Sequence, residues 1–416
     1  MRAPRIKGPP AAILRRWSLG LLAALLLAGG AHCGEGAQGP GAPDASLEGG
    51  SSGPDVSPGE GGTQSDGAPD AKPKPSETTI VVHVSISPDP VFIRGDKTPL
   101  SWEADAPMTK TGDGEWTYVV PRDLPALEFK PRYRTTWARG PNYAVKKGSR
   151  VDVYPHFFTT QGTVTRGPEF QSAHLPRPRR LWTYLPPTYI ENEAARFPVL
   201  YMHDGANLFS KDTAFGNVEW TVDETLDAGA ESGAIREAIV IGVESTADRI
   251  DELTPSVDAG RGDGGRADDY LKMVTLEIKP TIDRTLRTLP ARESTGVMGS
   301  SLGGLVSVYA GAKYAGVFGF VGAMSPSTWW DNRMILGVVA RMGPVRPLRF
   351  YVDSGDSGAS NDGVADTREL ARALSGIGYA EGTTLKYVVQ PGAIHNETYW
   401  AQRLPAALAF LLGPGR

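Results

Sequence analysis

The sequence predicts an α/β domain with a mostly parallel sheet from residue 180 to the C-terminus, preceded by a small all-β sandwich and an N-terminal stretch with no core of its own. Three observations carry that reading. Apolar runs of strand length alternate with helix-length segments after Arg180. β-Branched residues alternate at period two soon after Thr78. Gly and Pro fill 84 of the 416 positions and are crowded before Thr78, where residues 34–77 alone hold 18 of them. The 339 residues that remain from Thr78 onward are ample for a buried core, which excludes a fibrous or wholly disordered chain. Lys and Arg number 43 against 47 Asp and Glu, a net charge of -4, and no long basic block follows the first 20 residues, so bulk charge gives no support to nucleic-acid binding.

Residues 1–33 read as a secretory signal peptide. Arg2, Arg5, Lys7, Arg15 and Arg16 precede an apolar run from Leu19 to Ala28 that is too short to span a bilayer comfortably and is followed by small residues. Cys33, the chain's one cysteine, lies just past that run, where a bacterial lipoprotein carries its acylated Cys, although His32 stands where a small residue is usual. Membrane anchoring through Cys33 and plain secretion are the two expectations, and both put the folded part outside the cytoplasm, free or on the cell envelope. Residues 34–77 hold only Leu47 and Val56 as large aliphatics and cannot bury enough surface to offset chain entropy. They read as a flexible tether.

Residues 78–158 read as the sandwich. Thr79 to Ile86 alternates β-branched residues; Val91 to Arg94 follows a Pro-containing turn; Gly112-Asp113-Gly114 separates Met108 from Trp116 to Val120. Further strands are expected at Leu127 to Pro131 and Arg150 to Tyr154, and short strands with turns at close intervals mean a β-sandwich. Ile93-Arg94-Gly95, Leu100-Ser101-Trp102, Trp116, Phe129-Lys130 and Trp137-x-x-Gly140-x-Asn142, in that order, resemble the starch-binding type of carbohydrate-binding sandwich over about 80 residues. Sugars stack on exposed rings, so Trp137 and Tyr143, near Arg139 and Asn142, form a candidate platform for a polysaccharide. Residues 159–179, with Gly162, Gly167, Pro168, Pro176 and Pro178, read as a connector.

Residues 180–416 carry the chemistry. The expected strands are Leu181 to Leu185, Val199 to His203, Ala238 to Val243, Gly296 to Gly299, Gly319 to Met324, Leu348 to Val352 and Leu385 to Val389, with helices at Asp268 to Arg284 and Thr367 to Ser375. Gly299-Ser300-Ser301-Leu302-Gly303 reads G-x-S-x-G, a string that chance supplies roughly 0.4 times in a chain of this composition. Context decides. A second match at Gly49 to Gly53 lies in the tether, whereas this one follows the apolar Thr295 to Met298 strand and precedes the helix-like Leu305 to Tyr314. That is the strand-turn-helix of a nucleophile elbow, with Ser301 as nucleophile. A serine hydroxyl needs a base to take its proton. Of the six histidines only His395 follows Ser301, in a turn after the last strand, and the order Ser, acid, His is the one such an elbow calls for. Asp353, Asp356 and Asp362 lie on or after the Leu348 to Val352 strand, and spacing alone does not choose the acid among them. The loop lacks the EF-hand spacing, so no metal is expected there. Trp220, Arg249, Trp329 and Trp330 are further candidates for the substrate pocket.

Tyr184-Leu185-Pro186-Pro187, Val199 through Phe209 (VLYMHDGANLF), the Gly299 to Gly303 elbow, Ser325-Pro326-Ser327-Thr328-Trp329-Trp330 and Gly392-x-x-His395-Asn396-x-x-x-Trp400 together resemble the enterochelin-esterase and feruloyl-esterase branch of the α/β-hydrolases, from about Arg180 to Leu412. The resemblance implies an α/β-hydrolase fold and a Ser-acid-His esterase that needs no cofactor. It implies that the loop holding Gly205 and Ala206 supplies one oxyanion-hole N–H and Leu302 the other, and it favours Asp362 over Asp356 because Asp362 stands just before the Thr367 helix. Two departures are visible: Ala206 stands where relatives often have Gln, and Gly358 occupies the usual place of the acid. The expected substrate is a small-molecule or glycan-linked ester, with carbohydrate, phenolic and siderophore esters as the candidate classes. Acyl transfer of the mycolyltransferase type and a non-catalytic glycan-binding envelope protein are the alternatives.

Overall fold

The computed structural model describes residues 77–85, 90–120, 126–343 and 346–414; residues 1–76, which hold the expected signal peptide, Cys33 and all but the last residue of the expected tether, lie outside them. From residue 77 on, the described residues belong to one compact unit.

Its first part is built from β1 (Thr78–His83), β2 (Val91–Gly95), β3 (Ala106–Pro107), β4 (Thr109–Gly112), β5 (Glu115–Val120), β6 (Leu127–Tyr133), β7 (Thr136–Trp137), β8 (Tyr143–Val145) and β9 (Arg150–Val153). One sheet runs β4-β5-β1-β9, the other β3-β2-β6 with β7 and β8 also paired to β6. The period-two pattern explains the two layers. Ile80 and Val82 of β1 face Val91 and Ile93 of β2 and Phe129 of β6 in a shared core closed by Trp116, Tyr143 and Phe157. Tyr143 is therefore core and no part of a sugar platform: it stacks on Phe129 with 5.7 Å between centroids.

The connector is more than a link. Within residues 159–179, Thr163–Phe170 forms β10, which pairs antiparallel with β11 (Arg179–Leu185) and becomes the edge of the main sheet. That sheet continues with β12 (Val199–His203), β13 (Ile239–Val243), β14 (Thr295–Ser300), β15 (Phe320–Met324), β16 (Arg349–Gly355) and β17 (Leu385–Gln390), in the order β10-β11-β13-β12-β14-β15-β16-β17. All pairings from β13 to β17 are parallel. The continuous apolar runs reflect burial on both faces. Along β12, Val199 and Tyr201 enter one core while Leu200 and Met202 enter the other. Helices Leu302–Lys313, Trp330–Ala340 and Val364–Gly376 cover the first face; Val222–Ser232 and the C-terminal Glu397–Leu412 cover the second. The helix expected over Asp268 to Arg284 is interrupted by a π-helical turn, Met273–Ile278. Pro280 has no N–H to offer the preceding turn, and the wider coil accommodates that loss.

Buried polar groups knit the sandwich to the main sheet. The Glu191 carboxylate accepts the N–H groups of Phe157, Phe158 and Thr159 at 2.6, 2.9 and 2.9 Å. The Asn192 amide donates to the carbonyls of His83 and Pro155, and His156 Nδ1 lies 2.6 Å from Thr188 Oγ1.

Candidate active site

Parallel strands deliver their functional groups at their carboxyl ends, where each chain leaves the sheet for a helix. At the end of β14, Ser301 takes φ 55° and ψ −122°, a conformation that costs a non-glycine residue energy and holds its side chain up at the head of helix Leu302–Lys313. Neighbouring glycines make that turn possible. A Cβ on Gly299 would lie 2.8 Å from the carbonyl carbon of Gly303, so strand and helix approach more closely than any side chain allows. The Ser301 carbonyl is fastened by the N–H groups of Leu305 and Ser327, and its own N–H by the Met324 carbonyl.

Ser301 Oγ lies 2.9 Å from His395 Nε2, and His395 Nδ1 lies 2.6 Å from Asp362 Oδ1. The acceptor-only carboxylate fixes the tautomer: Nδ1 carries the proton, so Nε2 is the lone pair that accepts from the serine hydroxyl. Asp362 is buried, with φ 49°, in the turn just before helix Val364–Gly376, and that turn swings its carboxylate back beneath the imidazole. Burial would raise its pKa, but the bonds from His395, Ser325 and the Gly355 N–H outweigh that and hold it below the usual carboxylate value. The indole of Trp400 stands edge-on to the imidazole at 5.0 Å.

Asp356 does not reach this chain of bonds. Its carboxylate accepts the Gly392 N–H at 2.7 Å and so braces the turn that carries His395. Asp353, fully buried on β16, pairs with Arg403 at 3.0 Å.

Across the elbow, Asp204 opens the turn Gly205–Asn207 at φ 56°. A Cβ on Gly205 would sit 2.6 Å from the Gly242 carbonyl carbon on β13, which explains the glycine there. Ala206 occupies the middle of the turn and its carbonyl accepts from Thr213 Oγ1 at 2.7 Å. Leu302 opens its helix, so its N–H has no acceptor one turn back and is a free donor in kind. Arg249, a candidate for the substrate pocket, clasps Asp204 through two hydrogen bonds of 2.6 and 2.8 Å, with Ser245 Oγ a third partner of that carboxylate at 2.6 Å. Burial opposes the Asp204 charge, and the Arg249 and Ser245 bonds overcome it and lower the pKa.

The tryptophans divide. Trp220 and Trp330 are 1% exposed and belong to the two cores, Trp220 beneath Trp400 at 5.8 Å and Trp330 bonded through Nε1 to the Ser256 carbonyl. Buried in the cores, they offer no surface to a substrate. Trp329 is 45% exposed, two residues from Ser327, whose Oγ lies 3.3 Å from Ser301 Oγ. In the sandwich, Trp137 is 38% exposed, with the guanidinium groups of Arg132 and Arg94 at 4.9 and 5.4 Å from its ring.

Three further groups stand near the site, two of them, Ser325 and Arg403, with no role given by the sequence, and the third, His203, a strand-end histidine that reads as structural. Ser325 and Arg403 stand behind Asp362. His203, at the end of β12, donates or accepts at 2.7 Å with the Tyr270 hydroxyl, and burial lowers its pKa to about 4. Only the Ser325-Pro326-Ser327 string carried any signal for the first, and a buried strand-end histidine is an ambiguous one for the last. Among the described residues, no group of three or more His, Cys, Asp or Glu side chains is arranged to hold a metal ion.

A doubly covered parallel sheet with a serine on a strained elbow defines an α/β-hydrolase. The family model described as Putative esterase matches residues 172–411, more than half of the chain, and the protein belongs to that Esterase family. It is a carboxylic ester hydrolase. It is similar to the uncharacterized protein YbbA of Bacillus subtilis (strain 168), with 28% identity over 255 residues, 59% of this chain and 97% of that protein. Solved structures similar to it include the enterobactin esterase FES from Shigella flexneri, at 17% identity and TM-score 0.49 over 77% of this chain and 87% of that one. A ferulic acid esterase matches at 20% identity and TM-score 0.48 over 61% of this chain and 98% of its own.

Proposed function

We propose that the protein is a serine esterase that works through an acyl-enzyme, with Ser301 as nucleophile, His395 as general base and Asp362 as the acid that orients it. The observation that carries this reading is the unbroken series of hydrogen bonds from Asp362 through His395 to Ser301 at the head of the strained elbow. Ser301 Oγ attacks the ester carbonyl while His395 Nε2 takes its proton; the N–H groups of Leu302 and of the Gly205–Ala206 turn face the developing oxyanion. Collapse expels the alcohol, protonated by His395, and leaves the acyl group on Ser301. A water molecule, deprotonated by the same nitrogen, then releases the carboxylic acid.

Exposed Trp329 and Ile394, flanking Ser327 and His395 in sequence, give the rim an apolar character that suits an aromatic acyl group, so phenolic esters head the substrate classes, with sugar-linked and siderophore esters beside them. A fluorophosphonate probe should label Ser301, located by peptide mass spectrometry, and a panel of aryl, acetyl and feruloyl esters should be cleaved with an initial burst of alcohol. Labelling elsewhere, or turnover that survives Ser301→Ala, defeats the assignment. Product analysis with a sugar acceptor separates hydrolysis from acyl transfer.

Export is part of the same reading and rests on the sequence of residues 1–77: a signal, an anchor at Cys33 and a tether to the envelope. Metabolic labelling with an alkyne fatty acid, lost in Cys33→Ser, tests the anchor. In the sandwich, Trp137 is the surface on which a glycan would stack, and a polysaccharide pull-down lost in Trp137→Ala tests that role.

A further inference from the structure

Behind the proposed acid lies a buried group of side chains that the reaction as written does not use. The Ser325 hydroxyl donates to Asp362 Oδ2 at 2.7 Å. The same oxygen accepts from Trp400 Nε1 at 3.0 Å and from Arg403 Nη2 at 2.8 Å. A hydroxyl has one hydrogen and two lone pairs, and ordinarily rotates to suit its neighbours. Here both lone pairs are taken by groups that can only donate, an indole N–H and a guanidinium. Its hydrogen therefore has one direction left, toward Asp362.

The same accounting restricts the carboxylate. Oδ2 also receives the Gly355 N–H, and Oδ1 faces the imidazole. A proton placed on Oδ2 would find no acceptor: the Gly355 amide has none to offer and the Ser325 lone pairs are filled. Ser325 and Asp362 are 1% and 2% exposed, so water does not relieve the constraint. Arg403, 4% exposed, sits 3.8 Å from Asp362 Oδ2 while pairing with Asp353. Ser325 itself is held at φ 39°, with its N–H on the Asp353 carbonyl, a strained conformation that the surrounding bonds impose.

We propose that Ser325, its hydroxyl locked by Arg403 and Trp400, is a positioning residue that keeps Asp362 ionised and aimed at His395. The inference rests on the reading of Ser301, His395 and Asp362 as the catalytic set. It means that the working unit extends from the nucleophile through five further side chains to Asp353, and that one segment, Ser325 to Ser327, touches both ends of it: Ser325 at the acid and Ser327 at the nucleophile.

The charged and titratable groups facing the Asp362–His395 pair are Arg403 and Glu397 from the C-terminal helix, Asp353 and its neighbour Tyr351 from β16, and Asp356 from the loop that follows. None of them is replaced in Ser325→Ala, so a shift in the pH profile of that variant reports the loss of the hydroxyl and of its bonds to Asp362, Arg403 and Trp400. With one donor fewer, the Asp362 carboxylate is more basic and stabilises the imidazolium better, and the acid limb of kcat/KM should move to higher pH.

The test compares Ser325→Ala and Ser325→Gly with wild type on a soluble aryl ester. Glycine accepts the positive φ, so it removes the hydroxyl without adding strain and guards against a variant that does not fold. Loss of aim should lower kcat about 10- to 100-fold in both, with KM moving less than about threefold. The low-field proton resonance of His395 Nδ1 should shift, and Trp400→Phe, which frees one lone pair while keeping a ring against the imidazole, should shift it less. An unchanged kcat and pH limb in both Ser325 variants overturns the inference. So does a uniform loss of kcat with limb and resonance unmoved, the mark of a merely structural role. If Ser301→Ala remains active, the catalytic set itself is wrong; if Ser301→Ala is dead and the Ser325 variants behave as wild type, the clamp alone falls.

Discussion

Among the described non-glycine residues with a positive φ, the sandwich contains one, Arg134, while the α/β part contains ten, four of which are Asp204, Ser301, Ser325 and Asp362. The two regions are alike in having well-packed apolar cores. They differ in where the backbone is driven out of its comfortable basins: in the second region Asp204, Ser301 and Ser325 directly follow strand carboxyl ends and Asp362 lies in the turn after another, and each such residue costs roughly 1–3 kcal/mol. The sandwich spends its sequence on packing; the sheet packs its strands so firmly that their ends can be bent into the geometry that chemistry needs. The contrast predicts that alterations at the strand ends abolish turnover and spare the fold, and that alterations in the sandwich do the reverse.

The sharpest test of one side of that contrast is Ser301→Ala. It should reduce kcat by about 10⁴-fold or more and leave the thermal melt near that of wild type, since members of such a set fail as a unit. Residual activity close to wild type would remove the elbow from the mechanism. Next comes the acid. Asp362→Asn should lower kcat by up to about 10⁴-fold, whereas Asp356→Asn, which loses only a brace on the Gly392 N–H, should stay near wild type. A reversal of those two would place the chemistry on the wrong side of the loop.

On the other side of the contrast stands Phe129, fully buried between the sandwich sheets. Phe129→Ala should cost about 3–5 kcal/mol of stability by denaturant titration, and kcat on a small ester should hold wherever the protein remains folded. Shared loss of both would mean that the sandwich shapes the site. The Glu191 and Asn192 bonds bear on the same question, because a chain beginning at Thr159 leaves the partners of that joint unsatisfied. It should melt earlier than the full-length protein and still cleave the small ester below its melting temperature.

The smallest expected effect concerns pH. His203 titrates at about 4 when folded, against about 6.5 in the unfolded chain, because burial disfavours its charge. Between those values the unfolded chain holds a proton that the folded chain lacks, so stability falls as pH drops from 6.5 toward 4, by at most about 1.4 kcal/mol per pH unit. His203→Gln should flatten that part of the stability profile. An unaltered slope would show that the carboxylates alone produce it.

How much of this was legible in the sequence differs between nucleophile, base and acid. The elbow was legible because its glycines, apolar strand and following helix are local, and the base because one histidine follows it. Asp362 was not separable from Asp356 by spacing, since the choice depends on a φ of 49° that swings one carboxylate inward, and no residue type announces that turn. Trp329 and Trp330 look alike in sequence, yet one is 45% and the other 1% exposed, because adjacent residues at a helix start leave it in different directions. For Tyr143 the signal was present and points the other way from a platform: Tyr143 and Val145 share one face of a strand, and that face is the core. Arg403 reads as an ordinary cation of an amphipathic helix. Its burial against Asp353 follows from β16, some 50 residues earlier, and pairing at that range leaves no periodic trace.

The first edge of the main sheet has a consequence for life at high concentration. β10 breaks register between Arg166 and Glu169, carries Pro168, which has no N–H to donate, and holds its two charged residues, Arg166 and Glu169, in ion pairs with Glu244 and Arg180. A second copy approaching side by side meets an interrupted row of donors, which disfavours growth of the sheet from that side. The segment that ties sandwich to sheet thus also blunts the sheet's open edge against pairing with a neighbour.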